Sequence, residues 1–137
     1  MRALVLDSDA LSVLARTRSG EKFEKCLAYL KAALQESAHV LIPAAVLQEQ
    51  YRGNQFYQSI DAFLSRYSEA IELIPTTSEL ARRAGNLQGK YKLDSRYSTD
   101  ALVVAVAGDF NGIILTSDIT AIAKLAAGIK NVTVVGI

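Results

Sequence analysis

Short, continuous apolar runs recur along this sequence, separated by stretches with helical spacing. Ala3-Leu4-Val5-Leu6 does not alternate with polar residues, which is the pattern of a strand covered on both faces. Val40-Leu41-Ile42 and Ile71-Glu72-Leu73-Ile74 read the same way, each closed by a proline, Pro43 and Pro75. Gly112-Ile113-Ile114-Leu115 and Val132-Thr133-Val134-Val135 complete five strand candidates. Between them, apolar residues return at intervals of three and four: Phe23, Leu27, Leu30 and Leu34; Leu80, Ala84 and Leu87; Ile119, Ile122, Ala123 and Ala126. The order is β-α-α-β-α-α-β-α-α-β-α-β. Strands separated by helices imply a parallel sheet, so the expected fold is a three-layer α/β/α domain around about five parallel strands. Thr17 to Gly20 and Lys90 to Tyr97 fit neither period and are expected to be loops.

A chain of 137 residues has room for one sizeable core, and residues 1–137 are read as a single domain. Half of it is apolar and 21% is charged, a globular balance that excludes disordered and low-complexity classes. The net charge of +1 exerts no overall pull on nucleic acid or membrane, so either partner would need a local patch. The lone Cys26 has no partner for an internal disulfide. The apolar run at the start stops at Asp7, and that from Ala101 to Gly108 stops at Asp109. Both fall far short of the roughly 20 residues that span a bilayer. A soluble, cytoplasmic protein is expected, with no membrane partner.

Parallel sheets bind ligands at the carboxyl ends of their strands. Strand one ends in Leu6-Asp7-Ser8-Asp9 and strand four in Leu115-Thr116-Ser117-Asp118. Glu49 lies in the helix from Ala44 to Arg52, on a face shared with Ala45 and Val46, where an unpaired carboxylate is expensive to bury. Asp100 opens the helix that feeds strand four. A simple alternation sets that end opposite the other acids, unless the helix crosses the sheet edge obliquely. Each aspartate also reads as a helix N-cap. The acids nevertheless coincide with strand ends, while the strands carry only Glu72.

These residues resemble the PIN domain family. Val5-Leu6-Asp7-Ser8-Asp9-Ala10-Leu11 is similar to its opening block. Ile42 to Gly53, a helix with Glu49 shortly before Arg52-Gly53, resembles its second. Thr99-Asp100-Ala101-Leu102-Val103-Val104-Ala105-Val106-Ala107 resembles the third, and Ile114-Leu115-Thr116-Ser117-Asp118 the fourth. The length matches the VapC-type toxins of toxin–antitoxin systems. The resemblance implies a PIN-like fold with all four acids in one cleft, a ribonuclease that leaves a 5′-phosphate, an antitoxin segment as partner, and a homodimer. Asp9 departs from the Asn or Ser usual at its position and adds a possible fifth acid.

Four carboxylates in one cleft repel, by roughly 3 kcal/mol for each pair about 5 Å apart at an effective dielectric near 20. Such a site protonates or holds a cation. Oxygen-only donors select a hard ion, Mg²⁺ or Mn²⁺, which keeps several waters and can activate one for in-line attack at phosphorus. Asp7, Glu49, Asp100 and Asp118 are therefore the expected metal ligands and catalytic residues, with Asp9 and Thr116 orienting ligands or waters.

RNA must still approach an acidic site. Arg82, Arg83, Lys90, Lys92 and Arg96, with Tyr91 and Tyr97 among them, suit single-stranded RNA, or else form a solvated face. Arg16, Arg18, Lys22 and Lys25 make a second basic cluster, read more readily as solvated. His39 is expected to be structural or exposed. Phe56, Ile60, Phe63 and Tyr67, beside Tyr51 and Tyr57, form a stripe read first as core. The alternative for that stripe is a groove for a partner helix, the region where VapC-type toxins take the antitoxin's C-terminal segment.

The rival reading is a receiver-like signalling module, which also gathers acids around Mg²⁺. It requires an Asp ending strand three and a Lys ending strand five. Here those strands end in Ile74-Pro75-Thr76 and Val135-Gly136-Ile137. A catalytically silent PIN-like binding module is the other alternative, and the intact acid set argues against it.

Overall fold

The computed structural model describes residues 2–52 and 57–137. Phe56 of the aromatic stripe and Gly53 of the second block lie outside them. The elements run β1 (Leu4–Leu6), α1 (Ser8–Arg16), α2 (Glu21–Gln35), β2 (Val40–Pro43), α3 (Ala44–Tyr51), α4 (Tyr57–Arg66), β3 (Ile71–Ile74), α5 (Ser78–Lys90), α6 (Ser98–Phe110), β4 (Ile113–Thr116), α7 (Ile119–Ala126) and β5 (Thr133–Gly136). The order of strands and helices is the expected one. Thr17 to Gly20 is a loop, whereas the stretch from Lys90 to Tyr97 contains a 3-10 turn at Ser95–Tyr97. Asp94 caps that turn by accepting from the Arg96 amide at 3.0 Å, a local side-chain bond that apolar periodicity cannot register.

All the strand pairings are parallel, in the order β3-β2-β1-β4-β5. The chain moves outward from β1 through β2 to β3, then returns past β1 to β4 and β5. The direction therefore reverses between neighbours β1 and β4, and the carboxyl ends of those two strands form the switch point at which parallel sheets bind ligands. Right-handed crossovers put α1 to α4 on one face and α5 to α7 on the other. The packing agrees: α1 lies against α2, α3 and α4, while α6 lies against α5 and α7.

The central strands are apolar because both faces are covered. Leu4, Val5, Leu6, Leu41, Ile42, Ile114 and Leu115 are fully buried. β3 is an edge strand, where Glu72 and Leu73 are exposed, so a charge there costs little. α6 is buried almost all round, with Ala101 and Val103 to Ala107 in the core, which accounts for its unbroken apolar run. Cys26 is buried, and its thiol is pushed up to about 11, chiefly by burial.

Two helix faces differ from expectation. On α2 the buried set is Cys26, Leu30 and Ala33, and Leu34 is exposed. On α7 it is Ala121, Ile122, Leu125 and Ala126, with Ile119 and Ala123 exposed. Small residues mark the line of closest approach in both helices, so the buried stripe is rotated away from the bulkiest side chains.

α6 settles the direction of Asp100. Asn111, left-handed at φ 54, ends the helix, and Gly112 starts the return into β4. A Cβ on Gly112 would stand 2.9 Å from Val5 Cγ2 and 3.1 Å from the Ala107 backbone. α6 thus runs antiparallel to β4, as a helix feeding a parallel strand must. Its C-terminus meets the amino end of β4, and its first turn lies at the carboxyl edge. The expectation that Asp100 needs an oblique crossing is corrected: ordinary crossover geometry brings it to the other acids.

Candidate active site

Asp7 follows β1 directly and caps α1, accepting from the Ala10 amide at 2.9 Å. It is only 5% exposed, and its carboxyl is pushed up to about 6, first by burial, with Asp9 adding repulsion. Thr116, the buried last residue of β4, opposes that rise by a hydrogen bond to Asp7. The same hydroxyl accepts from the Asp118 amide at 2.9 Å. Thr116 therefore joins the two acids that flank the switch point.

Asp118 caps α7, accepting from the Ala121 amide at 3.4 Å. Capping is thus the correct reading for Asp7 and Asp118. It leaves room for more, since a carboxylate offers about four lone-pair directions. Asp100 is not a cap. It sits in the first turn of α6, whose N-cap is Tyr97. Its carboxyl is pushed up to about 7, first by burial, then by the charges of Asp118, Asp7, Glu49 and Asp9. All four of those charges are negative, so Asp100 lies in a field of like charge set by Asp118, Asp7, Glu49 and Asp9.

Glu49 reaches the group from the other side. Its helix starts immediately after β2, and its Oε2 accepts from Ser8 Oγ at 2.7 Å. Asp9, in the first turn of α1, accepts from the Ser117 hydroxyl. Two further residues had no signal in composition or period. Gln50, 6% exposed, donates Nε2 to the Ser8 carbonyl at 2.9 Å, and Ser8 itself links that amide to Glu49. A polar side chain adjoining Glu49 on a helix with buried apolar residues was the available hint.

No three His, Cys, Asp or Glu side chains among the described residues are placed to hold a metal ion as they stand. Asp7 and Asp118 are instead engaged by caps, and Glu49 and Asp9 by hydroxyls. The donor chemistry nevertheless fits a hard cation: oxygen ligands only, partly buried, mutually repelling, at the switch point.

The basic residues divide. Arg83 is bound through both terminal nitrogens to Asp109, tying α5 to the end of α6. Its charge is already paired, unlike the free cation envisaged for it. Arg96 pairs with Asp94 and lies over the Tyr97 ring, and Lys90 lies over Tyr91. Arg82 and Lys92 are exposed. The Lys90–Arg96 stretch leads directly into the turn carrying Asp100. Of the second cluster, Arg16 donates to the Gln50 carbonyl at 3.4 Å, while Arg18, Lys22 and Lys25 are exposed. His39 is exposed, with Nδ1 3.9 Å from Glu72.

In the aromatic stripe, Ile60 and Phe63 are buried, and Phe63 packs against Tyr67 at 5.1 Å between ring centroids. Phe63 and Tyr67 also line a groove of about 580 Å³ with Leu14, Phe23 and Leu27, bordered by Arg18, Lys31 and Arg66. Ile60 and Phe63 thus bear out the core reading, and a groove opens beside Phe63 and Tyr67.

The PIN domain family model matches residues 4–127, and the chain belongs to that family. Its fold matches VapBC2 from Rickettsia felis, bound to a DNA fragment from their promoter, at TM-score 0.69 and 17% identity over 98% of each chain. A toxin–antitoxin complex from Klebsiella pneumoniae matches at 0.64 and 21% identity over 95% of each chain. FitAB bound to an IR36 DNA fragment matches at 0.67 and 16% identity, over 97% of this chain and 94% of that one. No curated protein sequence matches. No helix among the described residues is long and apolar enough to cross a membrane.

Proposed function

We propose that this chain is a Mg²⁺- or Mn²⁺-dependent endoribonuclease and the toxin of a type II toxin–antitoxin pair. The observation that carries the proposal is the convergence of Asp7, Glu49, Asp118 and Asp9 on the half-buried Asp100, with its carboxyl pushed up to about 7. Like-charged groups in such a place await a cation. Asp7, Glu49, Asp100 and Asp118 would hold it. Bound there, the ion supplies an activated water and neutralises charge at phosphorus.

The rest belongs to the chain. Thr116 fixes Asp7 relative to Asp118, and Asp9 holds the Ser117 turn beside them. Lys90, Lys92 and Arg96 meet the RNA backbone, with Tyr91 and Tyr97 offering faces to unpaired bases. Arg82 can extend that track, whereas Arg83, paired with Asp109, ties α5 to α6 and stays out of it. The groove, with Leu14, Phe23, Leu27 and Phe63 on its walls and Arg18, Lys31 and Arg66 at its border, suits an acidic amphipathic segment of the antitoxin. Structural likeness to chains from toxin–antitoxin complexes supports that partner; a homodimer is what the resemblance to VapC-type toxins implies.

The test is hydrolysis of a labelled single-stranded RNA. Cleavage with Mg²⁺ or Mn²⁺ should leave 5′-phosphate ends and stop in EDTA and in Glu49→Gln. Cleavage that persists in EDTA would overturn the metal scheme.

A further inference from the structure

α3 is a two-turn helix, Ala44–Tyr51, too short to hold its own orientation in isolation. The direction of Glu49 is therefore set by what α3 touches. Consecutive residues of α3 grip one residue of α1: Glu49 accepts from the Ser8 hydroxyl at 2.7 Å, and Gln50 donates to the Ser8 carbonyl at 2.9 Å. One bond to the side chain and one to the backbone of Ser8 restrain both slide and rotation of α3 against α1. Ser8 adjoins Asp7, so the same pair of bonds sets the separation of the Asp7 and Glu49 carboxylates. Arg16, at the far end of α1, adds a longer contact to the Gln50 carbonyl at 3.4 Å. The Gln50 amide is almost fully buried, a cost that an aliphatic residue would avoid.

We propose that Gln50 is a positioning residue that, through Ser8, fixes the Glu49 carboxylate relative to Asp7 for cation binding. This rests on the metal-dependent nuclease reading above and adds a residue that does not itself touch metal or RNA.

The experiment is a Mn²⁺ titration of the full chain followed by electron paramagnetic resonance, comparing wild type, Gln50→Met and Ser8→Ala, with folding checked by circular dichroism. Gln50→Met should melt within a few degrees of wild type and bind Mn²⁺ about tenfold more weakly. Its kcat for RNA should fall while KM holds. The Ser8→Ala/Gln50→Met double variant should lose less affinity than the product of the single losses, because both act on one carboxylate. Should Gln50→Met fail to fold, Gln50→Leu makes the same comparison. Folded Gln50 variants that bind Mn²⁺ as wild type does would overturn the positioning role alone. Wild type that binds no Mn²⁺ would overturn the nuclease reading and this proposal together.

Discussion

Asp118 is the strongest charged influence on Asp100, although the two belong to different helices. The influence arises because α6 begins, and β4 ends, at the same edge of the sheet. Asp100 carries no cap, so its removal costs no helix-end hydrogen bond. Asp100→Asn should abolish cleavage while leaving the metal-free melting temperature unchanged or higher. A fall of several degrees in a metal-free melt would contradict this.

The same crowding fixes a pH dependence. The Asp7 and Asp100 carboxyls are raised from 3.8 to about 6 and about 7. Between pH 4 and 7 the folded chain keeps protons that the unfolded chain has released, so their contribution to stability is full below pH 4 and is lost as pH rises through that window. Discounted for the half-exposed position of Asp100, its share is on the order of 1–2 kcal/mol. Wild type and Asp100→Asn should melt together near pH 4. By pH 8 wild type should melt a few degrees lower, and Mn²⁺ should recover the difference. Melts from pH 4 to 8 check this; an unchanging difference between the two proteins contradicts it.

Paired and unpaired cations should behave differently. Arg83→Met breaks the bidentate pair to Asp109 and should cost about 0.2–1 kcal/mol of stability with KM for RNA unchanged. Lys92 is exposed and left-handed at φ 55, a backbone that Asn accepts readily. Lys92→Asn should therefore keep or raise the melting temperature while KM rises severalfold and its salt dependence weakens. Steady-state kinetics at two salt concentrations separate the two variants.

Gly112 tests the fold independently of the site. Gly112→Ala forces a methyl group against Val5 and the Ala107 backbone and should destabilise by about 1–3 kcal/mol. Mn²⁺ affinity of the folded fraction should be unchanged. An unaltered melting temperature would show that α6 and β1 are packed less closely there than described.

The central strands were legible because a parallel strand buried on both faces must be continuously apolar, and the edge strands β3 and β5 were legible from their shorter β-branched and aliphatic runs; each was located to within about one residue. Helix faces were less so. Spacing identifies a stripe but not which neighbour lies closest to the sheet, and Cys26 and Ala33, rather than Leu34, occupy that line on α2. The four acids stand out by their places after strands and in helices, but simple alternation sets Asp100 at the wrong edge, because it does not take into account that α6 runs against β4. The Ser8–Glu49 bond and the Arg83–Asp109 pair join residues far apart in sequence, and neither leaves a periodic trace.

The most direct test of the nuclease account is 5′-end sequencing of total RNA incubated with the purified chain and Mg²⁺ or Mn²⁺, with Asp100→Asn as control. Discrete, metal-dependent 5′-phosphate ends, present with wild type and absent with the variant, are the predicted result. Identical end profiles for the two proteins would contradict it.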